Sequence, residues 1–217
     1  MEAGLAVHKG KAIINSIMVR PERYENMIPL AVKYKAAMVA LMWGPDGLPR
    51  DENERAALAV ELGYAANEAG VPNEDMFFDG IVTPVNIQQP QALSLMAFQE
   101  MLQDMLPGAK STCGLSNISN GPPDNLRPIL NQTYMVMLER KGLYSCIADP
   151  YDKGLIALAR GERPDIVELI HKLMDDEAID DNSLPEEPND GWKLSDYTKT
   201  ARIILGKSLY SDSWLEL

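Results

Sequence analysis

Four short runs in this 217-residue chain each end in a single acid or carboxamide. They are Lys11–Asn15, Met76–Asp79, Lys110–Asn117 and Tyr144–Asp149, and a fifth run, Ala36–Trp43, ends in an aromatic. A carboxamide both donates and accepts hydrogen bonds, whereas a carboxylate only accepts. A mixed set of Asn15, Asp79, Asn117 and Asp149 therefore suits a flat heterocycle with amide-like and amine-like edges, as in a pterin or a guanine. The set contains no Lys or Arg clamp, no Ser–His pair and no cysteine nucleophile, so phosphoryl transfer and covalent acyl transfer are poorly served. A plain turn-forming role competes for Asn117, and for Asp149, which precedes Pro150. His8 and His171 fall outside the set and read as surface residues.

Elements must hold these groups in place. The runs end near 15, 43, 79, 117 and 149, a spacing of roughly 30–40 residues that suits a parallel strand plus its returning helix. They are apolar at successive positions, as a sheet buried on both faces requires. Between them, Pro21 can open a helix over 22–35, and Asp51 can cap one over 52–69 that Gly70 ends. Pro90 can open a helix over 91–106, and Pro128 one over 129–141 ended by Gly142. Its apolar stripe, including Met137, reads as core packing.

The predicted architecture is α/β with TIM-barrel-type strand–helix units over 1–160, about five strands of the eight that such a barrel needs. Polar strand ends then share one rim, where such barrels place their active sites. Residues 161–217 read as an extension: a helix over 164–174, a solvated acidic linker over 175–190, and a helix capped by Ser195 that runs to about 205. The aromatic tail ending at Trp214 is expected to pack back onto the barrel wall, with contact to a partner as the alternative.

The net charge of −12 argues against a nucleic-acid groove and an anionic membrane surface. It fits a partner with a basic docking face. No apolar run approaches the length of a membrane span. Cys113 and Cys146 sit inside apolar runs and read as free thiols in a reducing, cytoplasmic setting. Two His and two Cys, all far apart, predict no chain-bound metal.

Several motifs together carry a resemblance. Gly114-Leu-Ser-Asn117, Arg127-Pro-Ile-Leu-Asn131 and Ile147-Ala-Asp149 follow Ala12-Ile-Ile-Asn15-Ser16 and Phe78-Asp79…Pro84 in order. Over 2–160 this resembles the pterin-binding barrel of methyltetrahydrofolate:corrinoid methyltransferases, including those that serve a corrinoid/iron–sulfur protein. The resemblance implies that methyltetrahydrofolate is the substrate and that a partner protein supplies the corrinoid. It implies that Asn117 is catalytic, hydrogen-bonding near N5, while Asn15 and Asp79 hold the pterin edges and Asp149 joins the binding set. The partner's reduced cobalt attacks the N5-methyl group, and the poor leaving amine needs protonation or strong hydrogen bonding.

Two departures stand out. Gly80 replaces the proline common after the strand-end Asp, which should loosen that loop. The chain also lacks counterparts of the first three strand–helix units, the N-terminal third of the family barrel. It is therefore expected either to be part of a longer product or to cover its open edge, by homodimerisation or with its C-terminal extension. The alternative reading is a non-catalytic or incomplete homologue that binds a corrinoid protein or another chain. Dihydropteroate synthase is disfavoured, because Ser116-Asn117-Ile118 stands where that family has a basic Ser-Arg-Lys-type patch.

Overall fold

A computed structural model describes residues 1–186 and 191–216. The chain divides into two units interleaved along the sequence. One comprises Met1–Ile81, Ala97–Cys113 and Gly142–Cys146; the other comprises Val82–Met96, Gly114–Lys141 and Ile147–Leu217.

The first unit is built on a parallel sheet. After α1 (Glu2–Val7) come β1 (Ile13–Met18), α2 (Pro21–Tyr34), β2 (Ala37–Leu41), α3 (Glu52–Ala69) and β3 (Met76–Asp79). Helix α4 (Val85–Met105) begins in the second unit, and from Ala97 onward belongs to the first, where it leads to β4 (Lys110–Thr112). The strands lie in the order β1-β2-β3-β4, all parallel. Buried residues fill β2, and Met76 and Phe78 of β3 are fully buried, so a helix-covered parallel sheet explains the continuous apolar runs.

Helix boundaries follow local chemistry. Asp51 Oδ1 accepts the Glu54 amide at 2.9 Å and starts α3. Gly70 ends it at φ +100°, a conformation that strains any residue bearing a Cβ. Proline opens α2, as expected. Helix α4 starts earlier than predicted, at Val85, with a kink at Gln88 two residues before Pro90. Proline disfavours helical geometry in the residue before it and removes a donor, and the chain bends to accommodate both.

Parallel α/β units are borne out, but the sheet is open, and three strand assignments change, the run 110–117 being a strand only over Lys110–Thr112. β1 runs on to Met18, so Asn15 lies inside the strand, beside a register break between Ile14 and Ile17. The run 144–149 forms no strand. Within the first unit, Ser145 donates its amide to Ser111 O at 3.1 Å. Within the second, Ile147 accepts from Leu115 at 3.1 Å and makes a single parallel bridge with Gly114. The chain leaves β4 after three residues and turns into a 3-10 segment, Leu115–Ser119, which leaves a fifth strand almost no ladder to bond.

The second unit is helical. It contains α5 (Arg127–Arg140), α6 (Lys153–Ala159), α7 (Pro164–Met174) and α8 (Leu194–Ile204). Every residue from Ile129 to Leu138 is buried, including Asn131 and Gln132. The linker expected to be solvated is partly anchored. Asp181 is three-quarters buried and takes a bidentate ion pair from Arg202 (2.5 and 3.0 Å) and a hydroxyl bond from Thr198 (2.8 Å). Its stretch 187–190 lies outside the described residues. Helix α8 is capped by Asp196, which accepts the Lys193 amide at 2.8 Å, rather than by Ser195. Trp214 is buried within its own unit, against α8: it is 3% exposed and its indole N–H donates to Thr200 Oγ1 at 3.0 Å.

Removing that anchor should be costly. Trp214→Ala empties a buried aromatic site and is expected to cost about 3–5 kcal/mol. Urea unfolding followed by circular dichroism checks this; an unchanged midpoint would mean that the tail does not hold the unit.

Candidate functional site

In the first unit the polar focus is the carboxyl end of β3. Asp79 is the last strand residue, and its Oδ1 accepts the Ile81 amide at 2.8 Å. Ile81 sits at φ +67°, an uncommon conformation for a β-branched residue, so the Asp79–Ile81 turn is tightly specified. Gly80 does not loosen it. The wholly buried Arg55 of α3 donates its Nε–H to Gly80 O at 2.8 Å. Sequence reasoning passed over Arg55, although its place on the stripe with Ala59, Leu62 and Ala66 was the available signal: arginine at a core position needs a buried acceptor.

Burial raises Asp79 to a pKa of about 6, and the bond from Ile81 only partly offsets it. Ile81 is the sole donor to this carboxylate among the described residues, so Oδ2 is left open. Cys113 follows β4 and is wholly buried. Burial first, then the Asp79 carboxylate and Cys146, push its thiol well above the usual range, so it is a poor nucleophile. Cys146 is raised by burial as well, and both thiols are free. Asn15 is exposed on β1, two strand positions from β3, and is not a neighbour of Asp79.

In the second unit the structure brings Asn117 and Asp149 onto adjoining segments, joined through the Leu115–Ile147 bond. Asn117 lies in the 3-10 turn and is exposed. Its carboxamide makes no hydrogen bond among the described residues, unlike a turn-forming Asn. A Cβ on Gly114 would stand 3.3 Å from Asn117 Nδ2, so this glycine leaves the carboxamide its room. Asp149, in contrast, fills the turn role: its Oδ1 accepts the Tyr151 amide at 2.9 Å, while Oδ2 has no partner among the described residues.

Beside them lies a cavity of about 830 Å³, lined by Ser116, Arg127, Asn131, Asp149, Lys153 and Trp192 among others. Helix α5 supplies Arg127 and Asn131, one turn apart on the same face. A buried chain fixes the facing loop. Tyr197 of α8 donates to Gln132 Oε1 (2.5 Å), Gln132 Nε2 donates to Asp152 Oδ1 (2.8 Å), and the same Oδ1 caps α6 by accepting the Leu155 amide (2.9 Å). The polar pair Asn131-Gln132 in an otherwise apolar helix was the sequence signal for this cavity. No cluster of three or more His, Cys, Asp or Glu residues placed to hold a metal ion occurs among the described residues.

In parallel α/β frames the loops after the strands are where functional groups are usually carried. The chain belongs to the pterin binding enzyme family, whose model matches residues 1–142. It is 22% identical over 158 residues to methylcorrinoid:tetrahydrofolate methyltransferase of Eubacterium limosum, covering 72% of this chain and 58% of that protein. It is 27% identical over 158 residues to the methionine synthases of Mycobacterium tuberculosis and Mycobacterium leprae, covering 68% of this chain and 13% of each. The chain thus spans little more than half of the first relative and a small part of the other two. These relatives bear out the resemblance drawn from the motifs. No helix among the described residues is long and apolar enough to cross a membrane.

The raised pKa of Asp79 has a defined sign. Below its ordinary value of 3.8 the group is neutral in both folded and unfolded chains, and the fold carries no penalty. Between that value and about 6 the unfolded chain ionises first, so stability falls as pH rises through this window. Asp79→Asn removes the penalty. It should stabilise the fold at pH 7.5 by up to about 3 kcal/mol, with no difference from the parent near pH 3.5. Thermal melts at the two pH values test this; a shift of equal size at both would count against burial of the charge as the cause.

Proposed function

We propose that the chain carries the pterin-handling part of a methyltransferase that moves a methyl group between N5 of methyltetrahydrofolate and the cobalt of a corrinoid protein. The observation that carries this reading is the Asn117 carboxamide, which has room, exposure and no hydrogen-bond partner among the described residues. An amide held ready in this way can donate to an amine nitrogen as electron density builds on it, lowering the barrier to its departure. Asp79 offers an open acceptor to the N–H groups of a pterin ring, and its pKa of about 6 lets it carry a proton in part of the population near neutrality. Asn15 and Asp149 Oδ2 are further candidates for the polar edges of the ring. The corrinoid comes with a partner protein, and the net charge of −12 suits a basic docking face on it. Free thiols suit a cytoplasmic setting.

The second reading is a binding subunit without activity of its own. The edge strand β1 favours it, because no strand among the described residues pairs with its outer side, and self-association or another chain would satisfy those backbone groups. Calorimetric titration with methyltetrahydrofolate separates the two: a folded sample that takes up no ligand supports the subunit reading.

Asn117→Ala should slow methyl transfer to cob(I)alamin by more than about tenfold, equivalent to about 1.4 kcal/mol of barrier, while folate binding changes less. The absorbance change to methylcobalamin reads this out, and an unaltered rate would remove Asn117 from the chemistry. Gly114→Ala, which presses on the same carboxamide, should reproduce part of the loss.

A further inference from the structure

We propose that the cavity of the second unit receives the p-aminobenzoyl-glutamate portion of the folate; this rests on the methylfolate reading above. That portion has three chemical parts, an aryl ring, an amide and carboxylates, and the cavity wall offers a counterpart to each. Its volume of about 830 Å³ lies in the range of small-molecule sites.

The carboxylates have two under-used cations. The only carboxylate in ion-pair range of Arg127 among the described residues is Asp124, at 3.8 Å, whose side chain is 99% exposed. The other bond recorded for the Arg127 guanidinium is from Nε to Ser119 Oγ at 3.3 Å. Arg127 is thus anchored but weakly neutralised, and its planar fork suits a carboxylate. Lys153, at the start of α6, makes no ion pair among the described residues. The acids in the same wall are held by other bonds: Asp152 Oδ1 by Gln132 and the Leu155 amide, and Asp149 Oδ1 by the Tyr151 amide. They fix the loop that carries Lys153.

The amide has Asn131. This residue is nine-tenths buried, its Oδ1 is shielded from water, and it has no partner among the described residues. A buried acceptor left in that state costs free energy until a donor reaches it. Rotation of the carboxamide about its Cβ–Cγ bond would be needed to present it to an amide N–H in the cavity. The aryl ring has Trp192, a flat apolar face reaching the cavity from just before α8. Trp192 lies beyond the residues matched by the family model. Ser116 and Asp149 line the cavity and Ser116 precedes Asn117, so within this unit one ligand can engage the cavity and the Asn117 carboxamide.

The test compares tetrahydrofolate with 6-methyltetrahydropterin, which lacks the tail, by calorimetry on the full chain. The parent should bind tetrahydrofolate at least tenfold more tightly than the tail-less pterin. The double variant R127M/K153M should lose that advantage and bind the tail-less pterin as the parent does. Trp192→Leu should weaken tetrahydrofolate alone and abolish any fluorescence change that Trp192 reports. Equal affinity of the parent for both ligands, or equal weakening of both in the double variant, would overturn the inference. A folded parent that binds neither ligand overturns the methylfolate reading itself.

Discussion

A parallel ladder cannot be closed by a tight turn, because each strand must be carried back to its starting side before it can pair again. That constraint arranges the first unit. Helices α2, α3 and α4 perform the return, and every loop after a strand opens on the same side of the sheet. Polar groups displaced from a sheet buried on both faces collect there. Asp79 is the clearest case: the strand delivers it, the Ile81 amide fixes one oxygen, and Arg55 clamps the next carbonyl. Its raised pKa is the electrostatic consequence of ending a buried strand on a carboxylate.

The second unit meets the same need for polar satisfaction differently. Its central helix α5 is buried along ten successive residues, so any polar side chain there must find a partner inside. Gln132 does so from both ends, through Tyr197 and Asp152, and thereby ties α8 to the cap of α6. Asn131 Oδ1 finds none among the described residues, and an unsatisfied amide beside a cavity is the more informative of the two. Adjacent residues of similar chemistry thus differ: Gln132 is tied into the architecture, whereas the Asn131 Oδ1 has no partner among the described residues.

Much of the frame was legible in the sequence because its signals are local. The caps Asp51 and Gly70, and proline at the openings of α2 and α7, act within one helical turn, and the helices they bound follow. Continuous apolar runs identified parallel strands for the same reason. What failed was non-local. Asn15 looked like a strand end, yet β1 continues past it, because pairing with β2 rather than residue type sets the strand's length. Run 144–149 had the composition of a strand but met a β4 only three residues long.

The sequence by itself determined the class of fold, the family and the strand-end position of Asp79, since these rest on short-range patterns and motifs. Only the tertiary structure separated their roles. It assigned Asp149 Oδ1 to a turn and left the Asn117 carboxamide unpaired among the described residues. It gave Asp79 a pKa near neutrality and found the buried Arg55 behind it. Burial and hydrogen-bond partnership decide such roles, and both are set by residues distant along the chain, so no local pattern encodes them.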